Sequence, residues 1–165
     1  MSDAGWNVEM DAAAEYMADG EFEAKEGLLT LPGNHILIEM SYLSETPNID
    51  NIIFDLQIKG YKVILAHPER YSYYHGNKER YQRFKEAGCS LQLNLLAILG
   101  YYGKSVKLTA EMLLAEKLYD FTGTDLHHDK HLSVLTASVR DGSLHKKLGM
   151  YGFKNQEEFS KKIIV

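Results

Sequence analysis

Short apolar segments alternate with helix-like segments along this chain, and the alternation limits its fold more than any other feature. Strand-like runs cover residues 35–40, 62–66, 90–94 and 119–123, with a weaker run at 8–16. Helix-like patterns cover residues 48–59, 77–87, 109–117, 129–140 and the region from 143 to the C-terminus. Strands that alternate with helices form βαβ units, in which the strands are parallel. The sequence therefore predicts the α/β class with mainly parallel strands.

Capping and stop signals set the expected helix boundaries. Asn48 and Thr109 are suitable N-cap residues, and Gly60 and Gly88 are suitable stops. The segment 17–27 has no clear period, so it is predicted to be helical or irregular.

Length and charge exclude several classes of protein. A chain of 165 residues suits one domain, and no linker or repeat interrupts it, so we expect a single domain over residues 1–165. The formal net charge of -5 argues against nucleic-acid binding, which needs a basic surface. No run approaches the roughly 18 apolar residues of a membrane span. Residues 1–5 lack the basic and apolar parts of a signal peptide, which predicts a cytoplasmic protein.

The only cysteine, Cys89, stands at the entry to an apolar strand and is interpreted as a buried structural thiol. A thiol-dependent phosphatase needs an arginine a few residues after its cysteine to hold phosphate. Residues 90–96 contain no arginine, so this chemistry is excluded.

Polar residues follow successive apolar runs. They are Glu15, Glu39, His67, Asn94, Asp125 and His127. The carboxyl ends of parallel strands face the same way, so we expect these side chains to converge on one mouth. Carboxylates and imidazoles suit manganese, zinc or iron, and two such ions can activate a water for attack on phosphate. The pattern therefore predicts a metal-dependent hydrolase.

Each of these signals has a structural alternative. A histidine at a strand end such as His67 is as often a hydrogen-bonded turn residue as a ligand, and Pro68 also indicates a turn. Glu39 is harder to explain without a cation, because a carboxylate in a buried strand needs compensation. His128 and His131 are the further histidines expected to touch the site. Five histidines are predicted to lie at the surface or in loops: His35, His75, His128, His131 and His145. Tyr71, Tyr73 and Tyr74 are predicted either to line a substrate mouth or to pack in the interior.

Two motifs resemble a known superfamily. Residues 65–71, Leu-Ala-His-Pro-Glu-Arg-Tyr, and residues 123–127, Gly-Thr-Asp-Leu-His, are similar to motifs of the polymerase and histidinol phosphatase (PHP) superfamily. The closer resemblance is to the manganese-dependent protein-tyrosine phosphatases of bacterial capsule and exopolysaccharide operons. Residues 14–16, 36–40 and 91–94 also resemble that family. The resemblance implies a distorted βα barrel of PHP type that binds Mn²⁺, or Fe, Zn or Mg²⁺, and acts on a bacterial tyrosine kinase of polysaccharide export.

The resemblance also implies roles for individual residues. Glu39 would bridge two metal ions, His67 would ligate one of them, and Asp125 and His127 would serve further ions. Arg70 would hold the phosphate, for which its planar fork is suited, and a metal-bound hydroxide would attack. Arg70, His67 and Asp125 form the implied catalytic set. Further candidate site residues are Glu15, Asn94, His128 and Lys130.

Two departures from the family pattern shape the expectations. The family begins with an Asp-x-His-x-His strand, whereas the first histidine here is His35 and no His-x-His pair occurs. In addition, Lys130 stands near the place of an expected arginine. We therefore expect a domain that lacks its first βα units, an incomplete metal cluster, weak activity and self-association through an exposed barrel edge. The alternatives are a catalytically impaired fragment or interaction module with a partial metal site, and a small-molecule phosphatase such as a histidinol-phosphate phosphatase.

Overall fold

The computed structural model describes residues 11–159 and contains a five-stranded sheet in which all neighbouring strands are parallel. The strands are β1 (Glu15–Met17), β2 (His35–Glu39), β3 (Lys62–Ala66), β4 (Ser90–Asn94) and β5 (Phe121–Gly123). They lie in the order of the sequence, β1-β2-β3-β4-β5, as strands of a βα barrel do. The prediction of an α/β fold with parallel strands is confirmed, and the sheet is consistent with part of a PHP-type barrel.

Helices connect the strands and cover the sheet. They are α1 (Ile49–Ile58), α2 (Lys78–Glu86), α3 (Leu95–Ile98), α4 (Lys104–Ala115), α5 (Asp129–Arg140), α6 (Ser143–Leu148) and α7 (Asn155–Phe159). Short 3-10 turns lie at Pro32–Asn34, Pro68–Arg70 and Ser72–Tyr74. In the described part of the chain, no helix is long and apolar enough to cross a membrane.

Several predicted boundaries are wrong at the ends of elements. The first strand is shorter than expected, because residues 11–14 are not in a strand, while residues 8–10 lie outside the described part. Alanines at positions 12–14 have low strand propensity. The helix predicted to begin at Thr109 begins at Lys104 instead. Thr109 is buried inside it, and its hydroxyl donates to the Ser105 carbonyl at 3.0 Å.

The other cap prediction also needs correction. Asn48 precedes α1, but in a left-handed conformation (φ 60°) and without a side-chain cap hydrogen bond. Its carbonyl oxygen accepts from the backbone N–H of Asn51 at 2.9 Å instead. The C-terminal helical region is interrupted between α6 and α7, where Gly149 and Gly152 weaken helix formation.

Side chains along β2 point alternately to the hydrophobic core and to the face that carries the polar candidate residues. Ile36 and Ile38 are fully buried in the hydrophobic core with Val63, Leu91 and Phe84. Burying a side chain of this size contributes about 1.5–3 kcal/mol. Successive residues of a strand point to opposite faces, so Glu39 lies on the face opposite to this core. The core therefore fixes which face of the sheet carries the polar site.

The free cysteine belongs to this core. Cys89 is buried, as predicted, and burial raises the pKa of its thiol to about 12. The thiol is therefore protonated near neutral pH, which agrees with a structural role.

Candidate metal and phosphate site

An open pocket with a volume of about 380 Å³ lies at the carboxyl ends of the strands. Its lining residues come from β1, β2, α5 and the loops after the strands. They are Glu15, Glu39, Tyr42, His67, Arg70, Tyr102, Asp125, His127, His128 and His131. The convergence of polar strand ends that the sequence predicts is therefore present in the fold.

One wall of the pocket is a cluster of two carboxylates and one imidazole, formed by Glu15, Glu39 and His67. Nε2 of His67 lies 3.3 Å from Oε1 of Glu15 and 3.4 Å from Oε2 of Glu39. One ligand atom from each residue lies within 4.8 Å of the other two. Among the described residues this is the group whose geometry fits a metal ion. Its carboxylate oxygens and imidazole nitrogen are ligands that Mn²⁺, Fe²⁺ and Zn²⁺ accept.

The backbone conformation of His67 directs its imidazole to this cluster. His67 follows β3 and has a φ of 34°, in the left-handed region that few non-glycine residues adopt. Such a conformation costs on the order of 1–3 kcal/mol, and it persists only where the surrounding structure enforces it. The Nδ1 atom of His67 is buried and has no hydrogen-bond partner within residues 11–159. The strained position of His67 therefore indicates a functional rather than a packing requirement.

The electrostatics of the cluster favour positive charge. Burial opposes a charge on His67, but its hydrogen bonds with Glu15 and Glu39 outweigh burial and raise the pKa of His67 to about 9. The hydrogen bond with His67 in turn lowers the pKa of Glu39. Two carboxylates that share one imidazole provide the environment that a divalent cation requires.

A second wall of the pocket holds Arg70. Its Nη1 atom donates to Oδ2 of Asp125 at 2.9 Å, and Nδ2 of Asn94 donates to the same oxygen at 2.9 Å. The guanidinium carbon of Arg70 lies 4.4 Å from the ring centroid of Tyr42 and 4.2 Å from that of Tyr102. A permanent cation is thus fixed beside the carboxylate cluster.

A fully buried carboxylate supports both walls from below. Oε1 of Glu69 accepts the backbone N–H of Asn94 at 2.9 Å, and Oε2 accepts the Tyr119 hydroxyl at 2.8 Å. Burial raises the pKa of Glu69. Since Glu69 lies between His67 and Arg70 in sequence, these bonds tie the turn that carries both residues to the end of β4.

Sequence reasoning missed Tyr42, Tyr102 and Glu69. Glu69 stands inside the predicted motif, and that position is a signal that could have identified it. The two tyrosines follow β2 and α3 in loops, and no spacing in the sequence relates them to Arg70.

The predicted site residues fall into three groups. The structure brings seven of the predicted residues to the pocket wall: Glu15, Glu39, His67, Arg70, Asp125, His127 and His128. Asn94 lies behind the wall, where it bonds to Asp125. Lys130 is exposed and does not line the pocket.

Within the first group, Asp125 contacts Arg70 and Asn94 and lies outside the three-residue cluster. The His127 side chain is largely exposed, and its Nδ1 lies 3.2 Å from Oδ1 of Asp125. The roles of Asp125 and His127 at further ions stay a prediction. Glu15 begins β1 rather than ending it, yet it still reaches His67.

Burial corrects the prediction for two histidines and decides between two interpretations for two tyrosines. His35 and His131 are buried, whereas the sequence placed them at the surface or in loops; His131 still touches the pocket, as expected. His35 packs edge-on against Phe121. Tyr71 and Tyr74 are buried, which favours packing over a substrate mouth for both.

A parallel βα sheet with carboxylates, a histidine and an arginine at its carboxyl end is consistent with the class of PHP-type metal-dependent phosphoesterases. Residues 7–154 match the family described as "Capsular polysaccharide synthesis, CpsB/CapC". The chain belongs to this family, and the resemblance seen in its sequence motifs is confirmed.

Comparisons with a curated sequence and with a solved structure define the likeness further. The tyrosine-protein phosphatase YwqE of Bacillus subtilis (strain 168) is 32% identical over 115 residues, which are 67% of this chain and 45% of YwqE. A chain from the crystal structures of YwqE from Bacillus subtilis and CpsB from Streptococcus pneumoniae, described as unique metal-dependent tyrosine phosphatases, superposes with a TM-score of 0.60 and 28% identity. That match covers 74% of this chain and 49% of the solved one. The chain thus spans about half the length of the relatives it matches.

Proposed function

We propose that this chain is a metal-dependent phosphoester hydrolase of the protein-tyrosine phosphatase type that acts in capsular or exopolysaccharide synthesis. The observation that carries the proposal is the pairing, in one pocket, of the Glu15–Glu39–His67 cluster with the guanidinium of Arg70. The relatives of the chain are metal-dependent tyrosine phosphatases, which supports the same reaction class.

The residue roles follow from the contacts. Glu39, His67 and Glu15 would hold a metal ion, with Mn²⁺ as the first candidate and Fe, Zn or Mg²⁺ as alternatives. Asp125 and His127 are proposed as ligands of a further ion. Bound ions of this kind lower the pKa of a coordinated water and neutralise charge on a phosphate.

Arg70 is proposed to bind and orient the phosphate. Its guanidinium is permanently charged and can offer two parallel N–H donors to phosphate oxygens. Asn94 would keep Asp125 in place beside it, since the Asn94 amide donates to the carboxylate that Arg70 contacts.

The proposed substrate is a phosphotyrosine protein, in particular a bacterial tyrosine kinase of polysaccharide export. Tyr42 lines the pocket and is partly exposed, and the next residue in sequence, Leu43, is exposed as well. These side chains could offer apolar surface to the aromatic ring of a phosphotyrosine.

We also propose self-association through β1. This outer strand of the described sheet has three residues, and Glu15 and Met17 are exposed. An exposed strand edge is a template for pairing with a second copy. Light scattering should show a mass that rises with protein concentration, whereas a constant monomer mass would contradict the proposal.

One observation favours a second candidate function, an interaction module with a partial metal site. The carboxylate of Asp125 is bonded to Arg70 and Asn94 and stands outside the ligand cluster, which leaves that cluster with three residues. Such a module would bind a metal ion without hydrolysing a phosphate ester.

The deciding experiment combines metal analysis with a phosphatase assay. The purified chain is loaded with Mn²⁺ and assayed with a phosphotyrosine peptide and with a phosphoserine peptide. Manganese-dependent hydrolysis of the first peptide only, lost in His67→Ala and reduced about a hundredfold in Arg70→Ala, is the expected result. His145→Ala, at an exposed histidine outside the pocket, is the control. Bound manganese without hydrolysis of either peptide would favour the interaction module and contradict the proposed activity.

A further inference from the structure

Arg70 lies over two tyrosine rings. Its guanidinium carbon lies over both rings at 4.4 Å and 4.2 Å, and the rings of Tyr42 and Tyr102 come from separate loops. A guanidinium close to an aromatic face is attracted by the negative charge of that face. Two such faces restrict the rotation of the group about its side chain.

Each ring is supported by its own contacts. Tyr42 stacks on Tyr71 with a centroid distance of 6.0 Å and an interplanar angle of 29°. Tyr71 is fully buried, and its hydroxyl accepts the Met40 N–H at 2.9 Å and donates to the Ala66 carbonyl at 3.1 Å. Tyr42 therefore rests on a ring that two backbone hydrogen bonds fix in place.

Tyr102 is supported from the other side. Its hydroxyl accepts from Nδ2 of Asn94 at 3.3 Å, and the same amide donates to Asp125. The ring also packs edge-on against His131 at 6.1 Å. One asparagine thus connects the aromatic support of Arg70 with its carboxylate partner.

The hydrogen bonds of Arg70 show which donors remain for a ligand. Nη1 donates to Asp125, whereas Nε and Nη2 make no side-chain hydrogen bond to any part of the chain that the structure describes. With two rings close to its central carbon and one nitrogen engaged, the guanidinium can receive an oxyanion at the edge formed by Nε and Nη2. That edge is the one that binds phosphate oxygens in a bidentate manner.

We propose that Tyr42 and Tyr102 are positioning residues that hold Arg70 so that its Nε–Nη2 edge faces a bound phosphoryl group. This inference rests on the proposed function, in which Arg70 binds phosphate. The rings contact the guanidinium directly, whereas the hydroxyl groups of Tyr42 and Tyr102 lie against His67 and Asn94 instead. The ring faces are therefore expected to contribute more to the position of Arg70 than the hydroxyl groups do.

Two series of variants separate the ring from the hydroxyl group. Tyr42→Leu and Tyr102→Leu remove the aromatic faces, whereas Tyr42→Phe and Tyr102→Phe keep them. Tyr101→Leu is the matched control, since Tyr101 neighbours Tyr102 but its ring does not lie over Arg70. Thermal unfolding of every variant checks that the fold is retained.

The first measurement is the affinity for inorganic phosphate by calorimetry. Each Leu variant should weaken binding about threefold to tenfold, and each Phe variant should stay within about twofold of the parent chain. With an aryl phosphate as substrate, the Leu variants should raise KM more than they lower kcat. Equal phosphate affinity in the parent chain and both Leu variants would overturn the inference.

The second measurement does not depend on catalysis or on phosphate. In the NMR spectrum the Arg70 Nε–H proton, assigned by its loss in Arg70→Lys, should be shifted upfield by the ring currents of both tyrosines. The shift should decrease in each Leu variant and remain in each Phe variant. An unshifted signal in the parent chain would overturn the inference even if the enzyme is active. A shifted signal without phosphate binding would show that the rings hold Arg70 but would contradict its proposed role in binding phosphate. The proposed orientation of its Nε–Nη2 edge towards a phosphoryl group would then be wrong as well.

Discussion

Carboxylates lie at both ends of the parallel sheet, and the two ends compensate their charge differently. At the amino end, Asp120 precedes β5 and is almost fully buried. Lys85 and Lys154 both donate to its carboxylate, and the backbone N–H of Leu91 adds a third bond at 3.1 Å. This end is neutralised by side chains of the chain itself.

The carboxyl end has fewer cations per carboxylate. Glu15 and Glu39 share the single imidazole of His67, and Asp125 depends on Arg70. A buried carboxylate is costly unless it is paired or binds a metal. The difference indicates that the amino end is a structural ion-pair network, whereas the carboxyl end is arranged for an additional cation.

The largest expected effect is on metal binding at the carboxyl end. Glu39→Gln keeps the shape of the side chain and removes its charge, so the affinity for Mn²⁺ should fall at least about a hundredfold. Metal content after dialysis and calorimetry measure the change. Asp120→Asn is the matched control at the other end and should leave the metal affinity unchanged. If both substitutions weaken binding equally, the distinction between the two ends is wrong.

Stability should respond in the reverse pattern. Asp120→Asn leaves two lysines without their carboxylate and should lower the free energy of unfolding by about 1–2 kcal/mol, since both lysines remain partly exposed to water. Urea denaturation of the metal-free chain measures the effect. Asp55→Asn, at an exposed aspartate on α1, serves as the control. An unchanged urea midpoint in Asp120→Asn would show that the network contributes nothing to stability.

The contribution of Asp120 should also depend on pH. Burial opposes its ionisation, but the hydrogen bonds from Lys154 and Lys85 outweigh burial and lower the pKa below its ordinary value of 3.8. A carboxyl with a lowered folded-state pKa stabilises the fold above its unfolded pKa and loses that effect as the pH falls through the folded-state pKa. The difference in unfolding free energy between the parent chain and Asp120→Asn should therefore be constant near neutral pH and shrink below about pH 4. A difference that grows on acidification would contradict this assignment.

The sequence predicts the carboxyl end better than the supports behind it. Glu39, His67 and Asp125 each follow an apolar run, and in a parallel sheet that position alone directs them to one edge. The parallel order of the strands follows from the same alternation of segments. Strand-end residues are therefore predictable whenever the strands are.

The supports depend on loop conformation, which the sequence encodes weakly. Tyr42 and Tyr102 meet at Arg70 because two loops bring them there, and no period relates their positions. The wrong helix start at Thr109 has a similar origin. A good capping residue can also lie inside a helix, where its hydroxyl bonds to the preceding turn.

The smallest expected effect distinguishes the two carboxylates of the metal cluster. Glu15 comes from a strand of three residues and is the more exposed, with 30% of its side chain accessible against 23% for Glu39. Water can replace an exposed ligand more easily, and charge interactions weaken in a more polar environment. Glu15→Gln should therefore weaken Mn²⁺ binding only about threefold to tenfold, well below the effect of Glu39→Gln. Glu26→Gln, at an exposed glutamate outside the pocket, provides the control in the same calorimetric titration. A loss in Glu15→Gln as large as that in Glu39→Gln would make β1 as important to the metal site as the buried strand beside it.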